Sequence, residues 1–168
     1  MIHVCSLARL HETVEGTGAR HVVSLLGEED RILRPAGVSA QNHLWLQLHD
    51  ITLPMDGYIS PQTEHVERLV GFVRSWDRSA PIVMHCYAGI SRSTAAAFVS
   101  VCALNPGRDE LMIARALRRA SPTALPNSRI VALADCLLRR EGRMVAAIDA
   151  IGRGIPAGEG QPFRLDLE

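Results

Sequence analysis

The residues most able to do chemistry lie together in one segment, residues 85–93, with the sequence HCYAGISRS. Cys86 supplies a thiol, and Arg92 follows it after five intervening residues. A thiolate is a strong nucleophile, and a guanidinium group can donate two parallel hydrogen bonds to two oxygens of a phosphate. The segment therefore predicts a loop that binds an anion and attacks it.

The elements on either side would place this loop where an anion binds well. The apolar run 81–84 predicts a buried strand, and residues 93–99 predict a helix. A helix N-terminus carries unpaired N–H groups and about half a positive charge, and the loop backbone can aim further N–H groups at the same point. Gly89 permits backbone conformations that other residues rarely adopt. The positive field would also favour the thiolate form of Cys86.

The spacing of His85, Cys86, Arg92 and Ser93 resembles the signature loop of the cysteine-dependent protein tyrosine phosphatase superfamily, and residues 89–93 resemble its dual-specificity branch. We call residues 86–92 the signature loop. The resemblance implies that Cys86 attacks phosphorus and that water hydrolyses a phosphocysteine intermediate, without a metal or other cofactor. It also implies that Ser93 assists release of the thiol. The residues that would bind the phosphate are Tyr87, Ala88, Gly89, Ile90, Ser91 and Arg92.

A general acid is needed to protonate the departing oxygen, and the family takes it from an aspartate that follows an extended strand. Residues 42–48 alternate apolar and polar side chains, which predicts such a strand. Asp50 lies at its end and matches the position of the family's acid. Asp56, in the turn over residues 54–57, is the alternative. Aspartates in turns commonly bond to nearby backbone N–H groups, and that ordinary role is favoured for Asp56.

Three further residues have candidate supporting roles. His85 would order the signature loop through backbone contacts. Asn127 belongs to a segment, 121–127, that resembles the family's late Pro-Asn segment, where the asparagine supports the loop or caps the next helix; local sequence rules also make it an N-cap. Cys5, in the first strand, is either a redox partner of Cys86 or a small buried apolar residue.

The hydrophobic pattern predicts an α/β fold of a single domain, with a small, mostly parallel sheet of four to five strands flanked by helices. The resemblance implies the protein tyrosine phosphatase-like version of this architecture. The catalytic domain is expected over 1–153, and residues 154–168, which are rich in Gly and Pro, are expected to be a flexible tail. Expected strands cover 2–7, 21–26, 42–48 and 82–85. Expected helices cover 61–76 (capped by Ser60), 92–104, 109–120, 127–140 and 144–151, the last either continuous with its predecessor or broken at Gly142.

Composition narrows the classes of protein. The chain has 168 residues, of which 47% are hydrophobic and 21% charged, so it can bury a core and is not a disordered chain. A formal net charge of zero argues against nucleic acid as a partner. No apolar run is long enough to span a bilayer, no signal-peptide pattern begins the sequence, and four cysteines show neither paired nor metal-ligand spacing. We therefore expect a cytoplasmic protein with no membrane partner and no metal.

Together these features predict a cysteine-based phosphatase that hydrolyses phosphate monoesters. The expected substrate is a phosphorylated protein or a small phosphate monoester, with phosphotyrosine first and phosphoserine or phosphothreonine as alternatives. The interior of the signature loop, 87–90, has no lysine, whereas relatives that act on inositol phospholipids tend to carry lysines there. Two other functions stay open: a non-catalytic phosphopeptide-binding module, and arsenate reductase or sulfurtransferase-type cysteine chemistry.

Overall fold

The core of the protein is a five-stranded sheet with the strand order β3-β2-β4-β1-β5. The structure is a computed structural model that describes residues 1–167. Strands β1 to β4 run parallel to their neighbours, and β5 pairs antiparallel with β1 at one edge. The strands are β1 (Ile2–Ser6), β2 (His21–Leu26), β3 (His43–Gln47), β4 (Ile82–Cys86) and β5 (Phe163–Leu165).

Helices cover both faces of this sheet, as a mostly parallel sheet requires. Helix α1 packs on one face over a small buried cluster that includes Cys5, Leu10 and Val83. The other helices pack on the opposite face, and α3 lies at their centre with almost every side chain buried. The helices are α1 (Leu10–Thr17), α2 (Thr63–Ser75), α3 (Arg92–Leu104), α4 (Glu110–Ala120), α5 (Ser128–Leu137) and α6 (Arg143–Ile151).

The predicted α/β class and its mostly parallel sheet are confirmed. Helix α2 begins at Thr63, two residues later than predicted, because Gln62 caps it: the Gln62 N–H donates to His65 Nδ1 at 3.0 Å. Between α5 and α6 the chain breaks at Gly142, whose φ of +85° suits glycine. No helix of residues 1–167 has both the length and the apolar character needed to cross a membrane.

Helix α6 is held in place by a buried carboxylate of the preceding helix. The Asp135 side chain accepts hydrogen bonds from the N–H groups of Gly142 at 2.6 Å and Met144 at 2.7 Å. These are unpaired N–H groups of the α6 N-terminus, and a carboxylate there is favoured by both hydrogen bonding and the helix dipole. The bond fixes the direction in which α6 leads the chain back toward the signature loop.

The expectation that the end of the chain lacks regular structure is wrong for residues 163–165. They form β5, with Leu165 opposite Ile2 and only 2% exposed. Only two apolar residues, Phe163 and Leu165, alternate in this strand. So short an alternation, next to Gly and Pro residues, does not predict a strand. The strand forms because β1 offers it a free edge of backbone hydrogen-bonding groups.

Candidate active site

The signature loop joins the last residue of β4, Cys86, to the first residue of α3, Arg92. Gly89 adopts a φ of +72° within it, in the left-handed region that favours glycine. A Cβ on Gly89 would also lie 2.7 Å from the Ser6 nitrogen and 2.8 Å from the Cys5 carbonyl carbon. The loop therefore needs glycine here for its conformation and for its close approach to the end of β1.

Four of the five carbonyl groups of residues 87–91 accept hydrogen bonds from outside the loop, and this arrangement is expected to turn N–H groups of the loop toward a common centre. Each planar trans peptide points the next N–H away from its carbonyl, so an outward carbonyl gives an inward donor. Within residues 1–167, no N–H of residues 87–91 donates to a protein acceptor. The outer bonds run from Leu7 N–H to Tyr87 O (3.1 Å), Gly160 N–H to Ala88 O (2.8 Å), Leu125 N–H to Ile90 O (3.0 Å) and Asn127 N–H to Ser91 O (3.3 Å).

Cys86 and Arg92 lie at the two ends of the signature loop, and both line the same cavity. Cys86 is 2% exposed, and its Sγ is 3.1 Å from the hydroxyl of the buried Ser93. Arg92 is also buried, and its Nη1 donates to the Leu48 carbonyl at 2.9 Å. Its buried Nε has no hydrogen-bond partner among residues 1–167. A buried donor without a partner is costly, and an oxyanion bound in the cavity that Arg92 lines would satisfy it.

Asp50 is brought to the same site, and Asp56 is not. Asp50 Oδ1 accepts hydrogen bonds from Ser91 Oγ at 2.7 Å and Asn127 Nδ2 at 2.8 Å, so the carboxylate is tied to the signature loop. It lines the cavity that also contains Cys86 and Arg92. Asp56 lies in an exposed turn and does not line that cavity.

The loop that carries Asp50 is closed at its base by the neighbouring residue, His49. The His49 N–H donates to the Ile59 carbonyl at 2.8 Å, and the Ile59 N–H donates back to His49 Nδ1 at 2.9 Å. The other ring nitrogen is 3.1 Å from the Glu29 carboxylate. These contacts hold the two ends of the loop, at His49 and Ile59, close together. The backbone of Asp50, next to His49, is therefore fixed in position.

Asn127 fills both of the roles that were left open for it. Its Oδ1 accepts from the N–H groups of Arg129 and Ile130, both at 3.1 Å, and so caps α5. Its Nδ2 donates to Asp50, and its backbone N–H donates to Ser91 O. Through its side chain and its backbone N–H, this one residue joins a helix start, the acidic residue and the signature loop.

His85 lies behind the signature loop on the α1 face of the sheet. The sequence predicts that it orders the loop through backbone contacts, and its ring also bonds to a side chain: Ser24 Oγ lies 2.6 Å from His85 Nε2. The same hydroxyl lies 2.8 Å from His43 Nε2, so three adjacent strands are linked by one polar chain. Burial, reinforced by nearby His43, lowers the pKa of His85 to about 3, and the ring is neutral at neutral pH.

Cys5 lies in the buried cluster on the α1 face, whereas Cys86 belongs to the core on the opposite face. Burial raises the pKa of the Cys5 thiol to about 12. A thiol so hard to ionise is a poor partner for disulfide exchange, which needs the thiolate. The geometry therefore favours the buried apolar role of Cys5.

The cavity above Cys86 has a volume of about 960 Å³, and two of its walls were not foreseen. One is an apolar rim of exposed side chains: Leu53 (74% exposed), Met55 (57%), Tyr87 (64%) and Leu125 (39%). The other comes from α6 and the chain that follows it, and it extends past residue 153 into the segment expected to be a flexible tail. Its lining residues are Ile148, Asp149, Gly152, Arg153, Ala157 and Gly158.

A strand, a cysteine-containing anion loop and a helix on a mostly parallel sheet define the class of cysteine-based phosphatases, in the dual-specificity branch of the protein tyrosine phosphatase superfamily. Residues 6–105 match the model of the family Tc-R-P, described as "Polymorphic toxin system, DSP-PTPase phosphatase", and the chain belongs to this family. No curated protein sequence matches it significantly.

Solved structures of phosphatases share the fold at low sequence identity. DUSP15 aligns with a TM-score of 0.65 and 15% identity, over 89% of this chain and 90% of its own. Human DUSP28 aligns with a TM-score of 0.64 and 16% identity, over 83% and 92%. The PTP-2 phosphatase of Cydia pomonella aligns with a TM-score of 0.63 and 18% identity, over 80% and 84%.

The depressed pKa of His85 predicts a pH-dependent stability. Between about pH 3 and 6.5 the unfolded chain binds a proton at this residue that the folded protein does not. The free energy of unfolding should therefore fall as the pH drops through this window, by up to about 1.4 kcal/mol per pH unit from this group. Urea unfolding from pH 7 to 4 should give a shallower pH dependence for His85→Gln than for the wild type. Identical slopes would contradict the assignment.

The two roles of Asn127 can be separated by substitution. Serine is also a good N-cap, so Asn127→Ser should keep α5 capped while removing the donor to Asp50. We expect a melting temperature close to that of the wild type and a turnover of an aryl phosphate reduced by about tenfold, the effect of one hydrogen bond. A variant with unchanged turnover would show that Asp50 does not need this donor.

Proposed function

We propose that the protein hydrolyses phosphate monoesters through a phosphocysteine intermediate, and that its substrates are proteins carrying phosphotyrosine. The observation that carries the proposal is a set of N–H groups in residues 87–91 that have no acceptor within residues 1–167, beside the unpaired Nε of Arg92, in a loop that lines one cavity with Cys86. Arranged as a ring, these donors would match the oxygens of a phosphoryl group. The loop would hold it with its phosphorus facing the sulfur.

In the first step the Cys86 thiolate attacks phosphorus as the bond to the leaving oxygen breaks, and Asp50 gives its proton to that oxygen. In the second step water attacks the phosphocysteine, Asp50 takes a proton from the water, and the thiolate departs. The Ser93 hydroxyl, 3.1 Å from the sulfur, would stabilise the departing thiolate by donating a hydrogen bond. The N–H groups of 87–92 and the Arg92 guanidinium stabilise the charge on the phosphoryl oxygens throughout.

The position of Asp50 supports its role as the acid. Both hydrogen bonds from Ser91 and Asn127 go to Oδ1, which leaves Oδ2 free to face a leaving group in the cavity. Holding the carboxyl in place removes the need to orient it during the reaction. The simultaneous presence of Cys86, Arg92 and Asp50 favours hydrolysis over a role as a non-catalytic phosphopeptide-binding module.

The apolar rim supports phosphotyrosine as the preferred group. An aromatic ring attached to the bound phosphate would pass between Tyr87, Leu53 and Leu125, which bury its faces. Phosphoserine and phosphothreonine would leave this rim less well covered. The missing lysine in the loop carries little weight, because the whole chain contains no lysine.

The catalytic roles are tested with an aryl phosphate between pH 5 and 8. Cys86→Ser should abolish turnover. Asp50→Asn should slow it by about 10²–10⁴ and flatten the decline on the alkaline side, because the rate no longer depends on a protonated carboxyl. Asp56→Asn is the matched control and should behave as the wild type. Robust turnover by Cys86→Ser would contradict the role of Cys86 as nucleophile. Loss of turnover in Asp56→Asn but not in Asp50→Asn would identify Asp56 as the general acid.

The substrate class is tested by comparing a phosphotyrosine peptide with apolar flanking residues, the matching phosphoserine peptide and phosphoinositide micelles. The phosphotyrosine peptide should give the highest kcat/KM. Leu53→Ser should raise its KM by roughly five- to tenfold through lost apolar contact. Leu33→Ser is the control, since Leu33 is 83% exposed and lies outside the cavity. Faster hydrolysis of the phosphoinositide would overturn the proposed substrate class.

A further inference from the structure

Residues 159–165, which we call the C-terminal clip, lie against the back of the signature loop and beyond the family match at 6–105. The Gly160 N–H donates to the Ala88 carbonyl at 2.8 Å. One residue earlier, the Glu159 carboxylate accepts a hydrogen bond from the Ser6 hydroxyl. The clip thus contacts both the loop and the strand end on which the loop rests.

The contact at Gly160 is close enough to require glycine. A Cβ there would lie 2.8 Å from the Gly89 oxygen and 3.4 Å from Ile90 Cγ1. On its other side Gly89 faces the nitrogen of Ser6. Gly89 is therefore held between the end of β1 and the clip, and its carbonyl has almost no freedom to turn.

The rest of the clip anchors this contact to the sheet. Residues 163–165 pair with β1, with Phe163 opposite Val4 and Leu165 opposite Ile2. Ser6 ends that same strand and is fully buried. The clip is thereby fixed to the one strand whose end supports Gly89.

We propose that Glu159 and Gly160 are positioning residues for phosphate binding. Gly160 holds the Ala88 carbonyl outward, and the peptide plane then directs the Gly89 N–H into the oxyanion ring. Glu159 fixes the position of the clip relative to the end of β1, because its carboxylate accepts a hydrogen bond from Ser6. This proposal rests on the proposed function, because the ring it positions is the phosphate site.

The experiment measures the affinity for orthovanadate, as an inhibitor of aryl phosphate turnover, together with kcat, KM and the melting temperature. Gly160→Ala should weaken vanadate inhibition and raise KM by about tenfold or more, since one ring donor is misdirected. The matched control is Gly107→Ala, which adds the same methyl group where nothing lies within 4 Å, and it should match the wild type.

Glu159 gives a second test with a smaller disturbance. Glu159→Ala should weaken vanadate binding several-fold, whereas Glu159→Gln, which keeps an acceptor for Ser6, should restore it. Ser6→Ala should reproduce the effect of Glu159→Ala, and the double variant should be no weaker than either single one. This series keeps the proposal testable even where Gly160→Ala does not fold.

The outcomes separate the clip from the phosphatase assignment. Lower melting temperatures with unchanged vanadate affinity, measured well below melting, would show that the clip only completes the sheet and would overturn its positioning role. A wild-type protein that neither binds vanadate nor turns over an aryl phosphate would overturn the proposed function, and the positioning role with it.

Discussion

The site depends on one constraint: a loop that turns its N–H groups inward must have its carbonyl groups satisfied from outside. Buried carbonyls without partners would destabilise the loop, so each needs a donor from another part of the chain. Leu7, Leu125, Asn127 and Gly160 supply donors to four of these carbonyls, from three separate segments of the chain. The anion cradle is short in sequence, but its shape is determined by the whole fold.

The acidic loop is coupled to the signature loop by the same kind of contact. The carbonyl of Leu48 anchors Arg92, and Asp50 follows two residues later, bonded to Ser91. The end of β3 therefore sets the position of both the guanidinium group and the carboxylate. A site assembled in this way is largely pre-organised, because its charged groups keep their places through contacts with the protein itself.

The sequence predicted the parts that are encoded locally. Strands β1 to β4, helix α3 and the loop between Cys86 and Arg92 follow from hydrophobic periodicity and from a motif with fixed spacing. Asp50 was named as the candidate acid because it follows a strand, at the position where the resembled family carries its acid. The contacts of Ser24, His49 and Gly160 were not predicted, because each joins residues far apart in the chain. Residues 163–165 were missed because a three-residue strand has no detectable period and takes its stability from β1.

Because a ribosome makes the chain from its N-terminus, the contact between Gly160 and Ala88 can form only after the signature loop has been made. The carboxylate, thiol and guanidinium group are all present once Arg92 has been added, yet the Ala88 carbonyl can bond to its partner only after Gly160 has been made. The outer edge of β1 likewise has no paired strand until residues 163–165 have been made. A nascent chain therefore carries every reactive group of the site before all the contacts that shape the oxyanion pocket can form.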